Sequence, residues 1–511
     1  MKKEFIHGPC GEHDGRLERR QKVHGIVQDK MTKNKLLAGL LALLGVFSCV
    51  QKQDSTLVLH SEEDLKGLRV GCPSGSYYEQ KYSPVKEIEL FVVNSEADGL
   101  QALRQDKTDV FITDEVALPP ETMKRLGLKK ALRGEESFDV AFALRKGNTE
   151  LQEQLNAFLA SPGVNGVVDY WTAGTEDRRP EMPAVDKNAE PLRCITAACL
   201  EPISFLGDGG VWQGLDPDLL RRFAASLGRP MDMKFQDLGS AMLALQSGQV
   251  DVISACLFVT EERKKSVDFS TPYYHCHPGY FVVDRSNTDH VGLMERLRMN
   301  LITEGRWKLI VDGLLKTLEI TLFAILLGTV LGAFVCAAKR SRRKWLRTVA
   351  DLYGGFIDGI PTLVLLLIMF YVIFAHAAFD ATMVAVITFA CTFAASAGSI
   401  FDSAISAIPY GQTEAGLALG FTPLRTFTGI VLPQAVQKGL PLYIGACVSL
   451  LKETSIVGYI AIQDLTRASD LIRSRTFDAL IPLTLVTLLY FLIAWVIRVL
   501  LNLFLKKKQH D

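Results

Sequence analysis

The sequence carries no net charge: 56 lysines and arginines balance 56 aspartates and glutamates in 511 residues. That balance removes any global pull toward nucleic acid or anionic surfaces. It contains no C-x-x-C pair, and its ten cysteines (Cys10, Cys49, Cys72, Cys194, Cys199, Cys256, Cys276, Cys336, Cys391 and Cys447) match no zinc spacing and no disulfide framework. His275-Cys276-His277 has metal-binding residue types. Adjacent residues of a strand alternate faces, however, so the three cannot share an ion, and they are expected to be ordinary strand or loop residues. A G-x-x-x-x-G-K-[ST] phosphate loop is absent, as are a T-V-G-Y-G filter, a Ser/His/Asp grouping and a kinase signature.

What is present divides in two. Residues 55–300 carry many charges, whereas residues 309–505 are apolar runs separated by short polar stretches. The first half reads as soluble and the second as a membrane domain. Residues 1–30 are polar and without period. Met31-Thr-Lys-Asn-Lys, an apolar run from Leu36 to Phe47 and Ser48-Cys49 then follow, the layout of a secretory signal. Val46-Phe47-Ser48-Cys49 resembles a bacterial lipobox, with Phe47 where a small residue is usual. On this reading Met31 is the start and residues 1–49 are an extension plus a signal or lipoprotein segment; an uncleaved N-terminal anchor is the alternative.

Five apolar segments are expected to be spans: Leu314–Ala338, Pro361–Ala375, Met383–Ile405, Pro441–Leu451 with flanks, and Ala479–Leu505. Lys339-Arg340-Ser341-Arg342-Arg343-Lys344 follows the first and Lys506-Lys507-Lys508 the last. Basic clusters beside spans mark the cytoplasmic side. Both place residues 50–305 outside and residues 506–511 inside, as an odd number of spans requires.

Between the third and fourth spans lies Glu414-Ala415-Gly416-Leu-Ala-Leu-Gly420, followed after nine residues by Ile430-Val-Leu432-Pro433-Gln-Ala. Glu414 to Leu419 is expected to form a short cytoplasmic helix that Gly420 ends, since glycine tolerates the left-handed conformation. Pro433 is expected to open the next span. This stretch resembles the EAA loop of ABC importer permeases, with Gly416 where the family has Ala. Gly313-Leu-Leu-Lys-Thr-Leu-Glu319, Phe356-Ile-Asp-Gly-Ile-Pro361-Thr-Leu-Val and Lys452-Glu453-Thr454-Ser455 resemble further motifs of polar amino acid permeases, with Asp358 where the family usually has Arg. The resemblance covers residues 309–505 and implies a five-helix, all-α permease domain whose short helix docks on an ATPase.

The soluble half resembles type-II periplasmic amino-acid-binding proteins. Thr260-Glu-Glu-Arg263-Lys-Lys-Ser-Val-Asp-Phe-Ser270-Thr-Pro-Tyr-Tyr274 follows their T-P-E-R…V-D-F-S-x-P-Y-Y, so residues 191–285 resemble the first lobe. The second lobe should come next, yet the chain passes directly to the first span. Its motifs lie upstream, at Asp64-Leu-Lys-Gly-Leu-Arg-Val-Gly71 and Thr108-Asp109-Val-Phe-Ile-Thr-Asp114. Residues 55–175 are therefore expected to supply lobe two plus a closing segment, giving one bilobed α/β domain in permuted order. Thr172–Glu190 would be the new connection. A repeat supports two related lobes: Ala102-Leu103 precedes Asp109-Val110 as Ala244-Leu245 precedes Asp251-Val252. Two separate, degenerate domains are the alternative.

The resemblance implies a ligand set. Arg263 would fork a carboxylate, Ser76 would donate to it, and Asp114 would take an ammonium. Thr196 matches the first residue of the family's T-D-A-T-Y-P-P-F loop, and Ala197 stands where an acid often holds basic side chains. Leu200 replaces an aromatic residue and Phe258 a hydroxyl residue, which disfavours lysine-like or histidine-like solutes. The expected function is the binding and membrane-spanning subunit of an ABC importer in the bacterial inner membrane, working as a homodimer or with a similar permease. The chain itself would hold no cofactor, and ATP and magnesium would belong to a separate ATPase partner. A ligand-gated channel or a sensor is the alternative.

Overall fold

A computed structural model describes residues 56–173, 179–197, 201–207, 210–285, 292–375 and 379–507. The N-terminal signal, Leu200 and part of the expected connection lie outside the described residues.

The strands in chain order are β1 (Arg69–Pro73), β2 (Glu89–Val93), β3 (Val110–Asp114), β4 (Leu128–Arg133), β5 (Phe138–Val140), β6 (Ala143–Arg145) and β7 (Leu192–Thr196). They continue as β8 (Phe205–Leu206), β9 (Trp212–Gln213), β10 (Met231–Phe235), β11 (Val252–Ser254), β12 (Val267–Phe269), β13 (Tyr274–Cys276) and β14 (Pro278–Val283). Two five-stranded sheets form the two lobes. Lobe A has the order β10-β7-β11-β6-β12 and lobe B the order β2-β1-β3-β14-β4. The central strands read as continuous apolar runs because helices cover both faces; Val70, Val110, Phe111, Ile112 and Leu192 are all fully buried.

Each sheet is completed by the other segment of the chain. β6, from the first segment, lies antiparallel between β11 and β12. β14, from the second, lies antiparallel between β3 and β4. The chain thus crosses between lobes twice, and the crossing strands β5 and β13 pair with each other.

The repeat has a physical counterpart. In lobe B the Arg69 amide and Nε donate to Asp109 Oδ2 at 2.9 and 3.1 Å, and Nη2 donates to Oδ1 at 2.7 Å. In lobe A, Arg193 donates to Asp251 in the same pattern, at 2.9, 3.2 and 2.7 Å. An aspartate opening the third strand thereby pins the start of the first, a charge-assisted fork with fixed geometry.

The principal helices are α1 (Glu96–Arg104), α2 (Leu215–Ser226), α3 (Leu238–Gln246), α4 (Trp307–Lys339), α5 (Lys344–Gly359), α6 (Thr362–Ile368), α7 (Ala381–Ser406), α8 (Gly411–Ala418), α9 (Leu432–Glu453), α10 (Leu465–Thr476) and α11 (Leu480–Lys507). Among the described residues, four stretches are long and apolar enough to cross a membrane: Trp307–Lys339, Ala381–Ser406, Pro423–Ile460 and Leu480–Leu500. The expected second span is not a straight rod. Lys344–Gly359 and Thr362–Ile373 meet at 104°. Pro361 lacks an N–H and forces its predecessor out of the helical region; Ile360 is extended, at φ −112° and ψ 131°. Five crossings result only when this bent pair counts as one. The fourth segment, by contrast, is longer than its apolar stretch suggested, because α9 begins at Leu432 and accommodates Pro441 inside.

α4 and α7 meet at small residues. A Cβ on Gly328 would lie 2.8 Å from the Ala390 carbonyl oxygen, and one on Gly332 would lie 2.8 Å from Ala397 Cβ. Close approach of this kind supplies the packing that the hydrophobic effect cannot give between helices in lipid.

Burial pushes the Asp109 carboxyl up, but the bonds from Arg69 outweigh it and hold the group below the usual aspartate range. Asp109→Asn is expected to weaken lobe B by about 1–2 kcal/mol, the fork being partly exposed. Hydrogen exchange at the β1 amides reads this. Because the folded value is lowered, the wild-type contribution is complete above about pH 4 and fades as pH falls below it. The variant should lack that acid-side loss.

Candidate functional site

The lobes enclose a cavity of about 700 Å3. Ser76, Tyr78, Glu96 and Asp114 line it from lobe B, and Cys256, Phe258 and Arg263 from lobe A. A third wall comes from the membrane half: Arg467, Asp470 and Arg473 of α10 line the same space.

Arg263 lines the cavity from lobe A. Thr260 caps the turn it occupies, its hydroxyl accepting the Arg263 amide at 3.3 Å. The guanidinium bridges the lobes, donating from Nη1 to the Phe258 carbonyl at 3.1 Å and from Nη2 to the Gly75 carbonyl of lobe B at 2.7 Å. Asp114 ends β3 and accepts the Tyr78 hydroxyl at 2.8 Å. Burial pushes its carboxyl up to about 6, against the Tyr78 bond, the Cys256 thiol and the Arg263 charge. Glu96, at the start of α1, is likewise pushed up to about 7 by burial.

The other expected residues divide. Phe258 lines the cavity and stacks on Phe138 at 4.6 Å between ring centroids, 8° from parallel. Ser76 lines it too, but its hydroxyl is occupied locally: it donates to the Pro73 carbonyl at 2.6 Å and accepts the Glu79 amide at 3.3 Å. Thr196 is fully buried in β7, and its neighbour Ala197 reaches the wall instead. Leu200 lies outside the described residues.

Sequence reasoning missed α10. It holds both lobes at once. Arg473 Nη1 pairs with Asp98 of α1 in lobe B at 2.6 Å. Arg467 lies 4.2 Å over the Phe235 ring of lobe A and donates to its carbonyl at 2.9 Å. Arg475 pairs with Glu201, and with Glu304 at 3.0 Å. Leu471 joins the core of the soluble domain. The helix is positioned by Asp464, which accepts the Thr466 and Arg467 amides at 3.2 and 2.9 Å. The signal was legible: Asp464–Arg475 is a dense charged stretch between apolar segments, where no ordinary short loop needs one.

Comparison with known proteins finds relatives of both kinds. The bacterial extracellular solute-binding proteins, family 3, match residues 192–455, just over half of the chain and starting at β7. The probable amino-acid ABC transporter permease protein YckA of Bacillus subtilis is 33% identical over 202 residues, 39% of this chain and 89% of its own length. The chain belongs to both families. The L-cystine transport system permease protein TcyB of the same organism is 30% identical over 205 residues, covering 40% of this chain and 86% of TcyB. A solved amino acid ABC transporter with histidines is 29% identical, covering 43% of this chain and all of that one, at a TM-score of 0.39.

The ABC permease half explains its own departure from the family loop. α8 packs on the turn that follows, and a Cβ on Gly416 would lie 2.5 Å from Thr426 Cγ2. Alanine does not fit there without a shift. Gly420 takes φ +82°, and the Phe421 and Gly420 amides donate to the Gly416 and Leu417 carbonyls at 3.1 and 2.9 Å. This pair of hydrogen bonds closes the helix end. Glu414 and Ala415 are exposed, as are Leu419 and Leu424. Leu432 is more than a third exposed, and Pro433 occupies the first turn of α9.

Asp98→Arg should break the bridge to α10. Solute binding is expected to persist while transport in proteoliposomes falls at least about tenfold. The double exchange Asp98→Arg with Arg473→Asp should recover part of it, a coupling that loss of either side chain's packing alone cannot produce.

Proposed function

We propose that this chain imports amino acids or closely related small carboxylates as the combined receptor and channel-forming subunit of an ABC transporter. The single observation that carries this is the shared cavity: a guanidinium from one lobe and a carboxyl from the other face a space that a permease helix also lines. The solute carboxylate takes the Arg263 fork in place of the Gly75 carbonyl, and Asp114 receives the ammonium. Residues 55–285 act as one bilobed receptor in permuted order, with the strand exchange between sheets in support.

The receptor lies on the outer face of the bacterial inner membrane and the basic clusters at 339–344 and 506–508 inside. A separate ATPase docks on α8, between Glu414 and the exposed Leu419 and Leu424, and drives alternating access. Two permease domains surround a path, so the chain pairs with a copy of itself or a similar permease. Phe258 and the Phe138 ring stacked on it favour a solute of low side-chain polarity.

Calorimetry of the purified chain against an amino acid panel is expected to show binding that Arg263→Ala abolishes. Unchanged affinity in that variant refutes the fork. Co-purification with an ATPase should weaken in Glu414→Ala and fail in Gly416→Leu, where the side chain would displace α8. An ion current independent of ATP would favour the channel reading.

A further inference from the structure

Asp114, Cys256 and Cys276 are far apart in sequence, yet each offers one ligand atom within 4.8 Å of the other two. Asp114 ends β3 in lobe B, Cys256 follows β11 in lobe A, and Cys276 ends β13 in the crossing ladder. Both thiols are buried, Cys276 completely. Asp114 and Cys256 also line the cavity, so one side of the cluster faces the solute space.

The cluster is held from behind. Cys256 has a left-handed backbone, φ +49°, costly for a residue with a Cβ. Its amide donates to Asp216 Oδ2 at 3.5 Å, and Asp216 Oδ1 accepts the Tyr273 hydroxyl at 2.6 Å. Cys276 is fixed by ladder pairing with Phe138. Tyr78 holds Asp114 through Oδ1. A second rank of bonds that orients ligand atoms is what metal centres require. Exposed His275 does not take part: it pairs with Asp139 at 2.9 Å.

Two thiols and a carboxyl suit a thiophilic divalent ion of the zinc type. Bonds of about 2.0–2.3 Å at tetrahedral angles put neighbouring ligand atoms about 3.5–3.8 Å apart. Three atoms already within 4.8 Å of each other meet that with movements of about an ångström or less. We propose that Asp114, Cys256 and Cys276 form a three-ligand site for such an ion, with the fourth position open to the cavity. Binding releases the two thiol protons to solvent. The ion then joins lobe A, lobe B and the crossing strand, holding the lobes together. It also occupies the carboxyl that the proposed import mechanism gives to the solute ammonium. On that reading, which this last step alone rests on, ion and amino acid exclude each other and the ion blocks uptake.

The test uses the full chain in detergent, reduced and then freed of reductant under anaerobic conditions. Titration with Co2+ is expected to give one equivalent bound with a thiolate-to-cobalt absorption band, which Zn2+ abolishes. Cys256→Ser and Cys276→Ser should each remove the band and weaken binding roughly 100-fold, with thermal unfolding confirming that both variants fold. Arg263→Ala should keep the band, separating this site from the carboxylate fork. No thiolate band in the reduced wild type, a band unchanged in both serine variants, or a Cys256–Cys276 disulfide persisting after reduction would each overturn the site. Calorimetry with an amino acid, with and without Zn2+, tests the exclusion. Equal affinity with the cobalt band intact leaves the metal site standing and overturns both the block and the ammonium role of Asp114.

Discussion

The structure depends on the double crossing between lobes. β6 leaves the first segment to complete lobe A, and β14 leaves the second to complete lobe B. Neither segment closes its own sheet, so neither lobe is whole until both segments are in place. Placing β5 against β13 then sets the spacing of everything that faces the cavity: Phe138 and Phe258 stack beside the crossing, and Arg263 reaches across to the Gly75 carbonyl.

The second constraint is α10. A receptor that diffuses must find its permease at each cycle, whereas this one is joined to it by the chain. The contacts fit that arrangement. Most are charged or polar, Arg473 with Asp98, Arg475 with Glu201 and Arg467 on Phe235, with one apolar anchor at Leu471. Partly exposed ion pairs contribute little each. A contact set of this type permits repeated opening, which a wide apolar seam would resist. Both lobes touch one short helix, and α10 leads directly into the last span.

Steric limits shape the membrane half in the same residue-by-residue way. Gly416 looked like a lapse from the family pattern. It follows from the packing of α8 on Thr426, since the clearance admits a hydrogen and not a methyl group. Pro361 similarly turns an expected straight span into two helices at 104°.

The sequence by itself determined the parts whose signal is local. Apolar runs with basic flanks mark the membrane half, because the lipid interior selects composition directly. The glycine at 420 marks a helix end, because only the backbone of that residue is at issue. The paired Ala-Leu and Asp-Val units mark two related lobes, because each fork of arginine and aspartate forms within one unit of the fold. The position of Arg263 was legible from its motif. Only the tertiary structure decided what depends on distant partners. It took the Ser76 hydroxyl for a cap and moved Thr196 off the cavity wall. It also brought α10 onto both lobes, and gathered Asp114, Cys256 and Cys276 from three strand ends. Spacing along a chain says nothing of such meetings, because strand pairing between distant segments, not sequence separation, sets those distances.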